Sequence, residues 1–104
     1  MPRAREPNPE IDALAVRVLK RARGAVAANV RERRAASGTT QEALAERIGM
    51  SAIYVQALER GVTENPTLRV LALLAHALDC TIADLVLARP APRPARKGRP
   101  RAAE

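Results

Sequence analysis

Apolar residues recur at steps of three and four near the start of the chain. Ile11, Leu14, Val18, Ala22, Val26 and Val30 form one stripe, with the period of an amphipathic helix. Asn8-Pro9-Glu10 ahead of it reads as a helix start, with a capping side chain, Pro at the first helical position and an early acid. Gly24 interrupts the stripe at a cost of about 1 kcal/mol against Ala, so one long helix and two helices joined near Gly24 both fit. Ser37-Gly38 ends this segment, Gly38 being a natural left-handed cap. Thr40 then caps a second helix, Gln41 to Ile48. Ser51 caps a third, Ala52 to Arg60, which Gly61 ends. A loop from Val62 to Pro66 leads to Thr67, the cap of a fourth helix with Leu68, Leu71, Ala72, Ala75 and Leu78 as its inner face. Thr81 and Asp84 suit a capping box for a short fifth helix holding Ile82, Leu85 and Val86. No segment alternates strictly like a strand, so the pattern predicts an all-α bundle. Its expected core is Leu44, Ile48, Val55, Leu58, Leu68, Leu71, Leu74 and Leu78.

Composition narrows this. A chain of 104 residues makes one small domain. With no Trp, no Phe and one Tyr, the core must be aliphatic, and the Ala-heavy apolar content favours helix. No run reaches the roughly 18 apolar residues of a membrane span, and no signal-peptide pattern opens the chain. Cys80 is the only cysteine, so an internal disulfide is impossible and a reducing cytoplasm is the expected compartment. One histidine, His76, with one cysteine supplies no zinc set, and no Gly-rich phosphate loop occurs. Neither an enzyme nor a cofactor or metal site is expected.

The net charge of +7 points to a polyanionic partner, and its distribution matters more than its size. Residues 1–23 carry +3, residues 24–87 carry −1 and residues 88–104 carry +5. The same lines divide the chain into a disordered N-terminus (1–9), a helical extension (10–23), a folded domain (24–87) and a disordered Pro/Arg-rich tail (88–104). The extension either packs on the domain or serves as a dimerisation arm.

Residues 41–61, QEALAERIGMSAIYVQALERG, hold two short helices around one tight turn. Such a crossing needs a small residue at the contact, here Ala45, a Gly at the bend, Gly49, and an apolar residue pointing back, Val55. The usual occupant of that geometry is a DNA-binding helix-turn-helix. From Val30 to Leu85 the chain resembles the Cro and phage-repressor type, the XRE family. The resemblance lies in Val30-Arg31 and Arg34, then Gly38, Thr40-Gln41, Leu44-Ala45, Gly49, Ser51, Tyr54-Val55 and Leu58-Glu59-Arg60-Gly61. Asn65-Pro66-Thr67-Leu68 and Leu74-Ala75 with Ala77-Leu78 complete it.

The resemblance implies roles. Arg34 and Glu59 pair as scaffold between the first and third helices. Gln41 and Ser51 hold phosphates at the starts of the second and third helices. The third helix lies in the major groove and presents Ala52, Ile53, Gln56, Ala57 and Arg60 outward, the first four as base readers. Only Gln56 of those four carries a hydrogen-bonding side chain, able to pair with adenine, so direct readout is modest. In the tail, Arg96-Lys97-Gly98-Arg99-Pro100-Arg101 resembles an AT-hook, a basic segment for the narrow A·T minor groove. The expected function is a sequence-specific DNA-binding transcriptional regulator, a repressor, bound as a homodimer to a near-palindromic operator in the cytoplasm, associated with the nucleoid. Polymerase contact would make it an activator instead. The rival readings are the antitoxin of a toxin–antitoxin pair, with a toxin as protein partner, and an architectural A·T-rich DNA-binding protein.

Overall fold

The computed structural model describes residues 6–63 and 65–88. They form five helices and, among the described residues, no strand: α1 (Pro9–Ala36), α2 (Gln41–Ile48), α3 (Ala52–Glu59), α4 (Leu68–Ala77) and α5 (Ile82–Val86). The AT-hook-like residues Arg96, Lys97, Gly98, Arg99, Pro100 and Arg101 lie outside the described residues.

Every helix starts at a side-chain oxygen that satisfies amides left open by the first turn. The Asn8 carbonyl accepts from Glu10 and Ile11, and the hydroxyls of Thr40, Ser51 and Thr67 accept from Ala43, Tyr54 and Val70. Thr81 and Asp84 close a full capping box at 3.0 Å in both directions. Gly38 and Gly49 follow α1 and α2 with φ +72° and +71°, a region where an L side chain is strained. The turn between α2 and α3 depends on the second of these.

α1 runs through Gly24 without a break. A methyl group at Gly24 would meet nothing within 4 Å, so Gly24→Ala is expected to stabilise the helix by about 0.5–1 kcal/mol. A rise of a few degrees in thermal melting, read by circular dichroism, checks this.

The core gathers Val26 and Val30 of α1, Leu44, Ala45 and Ile48 of α2, and Val55 and Leu58 of α3, with Val70, Leu74, Ala75 and Leu85. Two assignments on α4 need correction. Leu68 is 69% exposed and Ala72 is exposed, while Val70, unassigned from the sequence, is buried. The inward arc of α4 is centred on Val70, Leu74 and the half-buried Leu71 and Leu78. Leu68 sits at its edge in the first turn, and Ala72 points away from it.

Among the described residues, Asn29 is the one buried neutral polar side chain. Its Nδ2 donates to the carbonyls of Leu85 and Leu87 at 2.9 and 3.0 Å. Those carbonyls end α5, where the helix itself offers them no amide. Asn29 thus fastens the last helix to the first. The N-terminal half of α1 is not packed on the domain. Ile11, Leu14 and Val18 are 50%, 56% and 69% exposed.

Candidate nucleic-acid interface

α2 and α3 form the helix-turn-helix, and a polar hub at the end of α3 fixes its attitude to α1. Glu59 is 3% exposed. Arg34 grips it with one edge of the guanidinium, Nε to Oε2 at 2.5 Å and Nη2 to Oε1 at 2.9 Å. Arg34 Nη1 donates to the Thr39 carbonyl, and Arg31 Nη1 donates to the Glu59 carbonyl. Gln41, the first residue of α2, donates from Nε2 to Glu59 Oε1 at 3.0 Å. Three helices therefore meet on one carboxylate.

Burial pushes that carboxyl up. The hydrogen bonds from Arg34 and Gln41, with the Arg34 and Arg31 charges, outweigh burial and hold it below the usual carboxylate range. The bond to Glu59 raises the Arg34 guanidinium in turn. The hub stays ionised at neutral pH and works as scaffold.

The expected DNA-facing residues fall into two groups around it. On α3, Ile53 is 76% exposed and Arg60 is exposed, while Ala52, Gln56 and Ala57 are half-buried. Ile53, Gln56, Ala57 and Arg60 stand at i, i+3, i+4 and i+7 along one face. Ala52 packs partly against the core, which reduces what its methyl can offer a base. Between α1 and the end of α3, with Gln41 of α2 at its side, an open groove of about 680 Å³ has Arg31, Glu59 and Arg60 in its lining beside Gly24, Ala27, Ala28, Gly61 and Val62. The bond to Glu59 orients the Gln41 amide, because only its NH2 end can donate. A second N–H remains on that nitrogen. Ser51 is exposed, and its hydroxyl keeps its own proton for an outside acceptor while accepting from Tyr54.

Sequence reasoning missed the direct Gln41–Glu59 bond and the Arg31 bond to the Glu59 carbonyl. Their partners lie 18 and 28 residues away, beyond the reach of local pattern. No cluster of His, Cys, Asp or Glu suited to a metal occurs among the described residues, and no helix there is long and apolar enough to cross a membrane.

Comparison with known proteins places this arrangement. A helix-turn-helix family model matches residues 30–85, more than half of the chain. The chain belongs to this XRE-type helix-turn-helix family and is a DNA-binding transcription regulator. Two crystal structures of the clp gene regulator ClgR from Corynebacterium glutamicum are each 40% identical over 61% of this chain, with TM-scores of 0.57 and 0.56. The chain spans 66% of one of those chains and 80% of the other. The hypothetical transcription factor NHTF from Neisseria is 29% identical, with a TM-score of 0.61, over 83% of this chain and 86% of that one. No curated protein sequence matches at a significant level.

Proposed function

We infer that the chain represses transcription by occupying a near-palindromic operator as a homodimer, with one α3 in each of two successive major grooves. The observation that carries this reading is Ile53. An isoleucine 76% exposed in the first turn of α3, on one face with Gln56 and Arg60, is apolar surface left open to water. A thymine methyl in the major groove is a fitting cover for it. Gln56 beside it pairs with adenine. Gln41 and Ser51 take phosphates at the starts of α2 and α3, and Arg60 takes one at the far end of α3. The similarity to a clp gene regulator supports a regulatory role.

Few polar readers on α3 mean few discriminating contacts, so flanking phosphates and the basic tail contribute much of the affinity. Selection of bound duplexes from a random pool with the full chain tests the reading. The expected product is two inverted half-sites with centres one helical turn apart, about 34–36 Å. A single unrepeated motif would sink the palindrome, and enrichment of A·T content alone would favour an architectural protein. In the same assay Gln56→Ala is expected to flatten one position per half-site by about 1–3 kcal/mol of discrimination. An unchanged profile would mean that α3 does not enter the groove in this register.

A further inference from the structure

The face of α1 that packs on the domain does not stop where the domain stops. Val26, Asn29 and Val30 are buried on that face. At 100° per residue the same arc continues toward the N-terminus through Ala22, Leu19, Ala15 and Ile11, with Val18 along one edge and Asp12 along the other. Ile11 and Val18 are 50% and 69% exposed there, with Leu14 at the edge of the arc at 56%. Residues 9–23 form about 22 Å of helix on which Ile11, Leu14, Val18 and Leu19 stay exposed.

Charge selects what covers it. Glu10 and Asp12 stand at the start of this arm, and Arg17, Lys20, Arg21 and Arg23 toward its other end. Parallel pairing of two arms would set like charges together. Antiparallel pairing sets the acidic end of each against the basic end of the other. With Ile11 opposite Ala22 of the partner subunit, Ala15 falls opposite Val18 of the partner subunit. The Glu10 edge then matches in sign, with Glu10 facing Arg21 of the partner subunit. A shallow hollow of about 250 Å³ between Leu14, Arg17, Val18 and Arg21 lies on the Glu10 edge, where Leu14 of the partner subunit would enter.

We propose that residues 9–23 of two copies pair as antiparallel helices and form the dimer contact, a proposal that rests on the homodimer reading above. The twofold axis passes between Val16 and Arg17. The packed half of α1, centred near Val30, then lies about 20 Å from the axis on each side. The two domains stand about 40 Å apart along the arms. That is close to the roughly 34–36 Å between successive major grooves. Two arms of this length bury less than the roughly 1,200 Å² of a standard interface, so the dimer is weak alone and completed on DNA.

Sedimentation of the full chain, free and with a duplex carrying its selected site, tests the proposal. Ile11→Glu with Val18→Glu is expected to raise the dimer dissociation constant at least about tenfold. Both positions are exposed, so the domain should keep its cooperative melt. Glu10→Arg and Arg21→Glu should each weaken the dimer, and the two together should restore it, since the reversed pair attracts again. A dimer untouched by the double Glu variant, or charge reversals that do not rescue each other, would overturn arm pairing and leave the homodimer standing on another face. A full chain that occupies its selected site as a single copy would overturn the homodimer itself.

Discussion

Glu59→Ala is expected to lower the stability of the domain by about 3–5 kcal/mol. The Glu59 carboxylate is almost fully buried and takes bonds from Arg34 and Gln41, while Arg31 bonds the same residue's carbonyl. Removing it strands the Arg34 guanidinium, itself largely enclosed, with one remaining bond to Thr39. Breaking a buried pair from one side costs about 3–5 kcal/mol, because the surviving charge has lost its compensation. A small domain holds only about 5–15 kcal/mol in total. At about 4–8 °C per kcal/mol for this size, the midpoint should fall by at least about 12 °C. Arg34→Lys should lose part of this, since an ammonium cannot make the two-point contact. A melt of Glu59→Ala within a few degrees of the parent would refute the hub as the fastening of α1 to α3.

The same carboxylate predicts a pH dependence. Its pKa is lower in the folded state than in the unfolded chain. Folding therefore favours the ionised form, and this contribution is complete above the unfolded value, about 4.3. It is lost as pH falls through the folded value. Melts of the parent between pH 7 and pH 3 should turn downward below about pH 4.3. In Glu59→Gln that turn should be shallower. Equal acid slopes in the two proteins would assign the loss to other groups.

How far this architecture is readable from the sequence depends on the range of each interaction. Helix boundaries are legible because caps are local. Asn8, Thr40, Ser51, Thr67 and Thr81 each bond amides two or three residues on. The outward face of α3 is legible for the same reason, since period alone places Ile53 with Gln56 and Arg60. The phase of α4 is not, because LRVLALLAHA is apolar almost all round and a stripe cannot be singled out. The pattern accordingly predicts Leu68 inward, where the fold buries Val70. Continuity through Gly24 is undecidable locally, as a single Gly costs a helix only about 1 kcal/mol and packing overrides it. Asn29 carries no local signal, and the carbonyls it serves lie 56 and 58 residues away. The hub is intermediate. The pairing of Arg34 with Glu59 follows from resemblance, whereas the attachment of Gln41 requires the fold.

Deletion of residues 88–104 is expected to change DNA binding more than any single substitution on α3. That stretch holds six Lys/Arg and one acid, whereas residues 24–87 carry a net −1. Six cations on phosphates would contribute about −5 to the slope of log K against log salt. Between 50 and 200 mM salt the full chain should therefore lose about 10³-fold more affinity than the truncated one. Titration of a labelled random duplex at several salt concentrations reads this directly. The consensus recovered by site selection should survive truncation, because phosphate contacts position a protein without reading sequence. If Arg96, Arg99 and Arg101 enter an A·T minor groove, truncation should also erase a preference for A·T flanks, and a minor-groove-binding drug should compete with the full chain alone. Equal salt slopes would remove the tail from the interface. Loss of all binding, selected sites included, would instead reduce α3 to a minor contributor and favour an architectural role carried by the basic stretch.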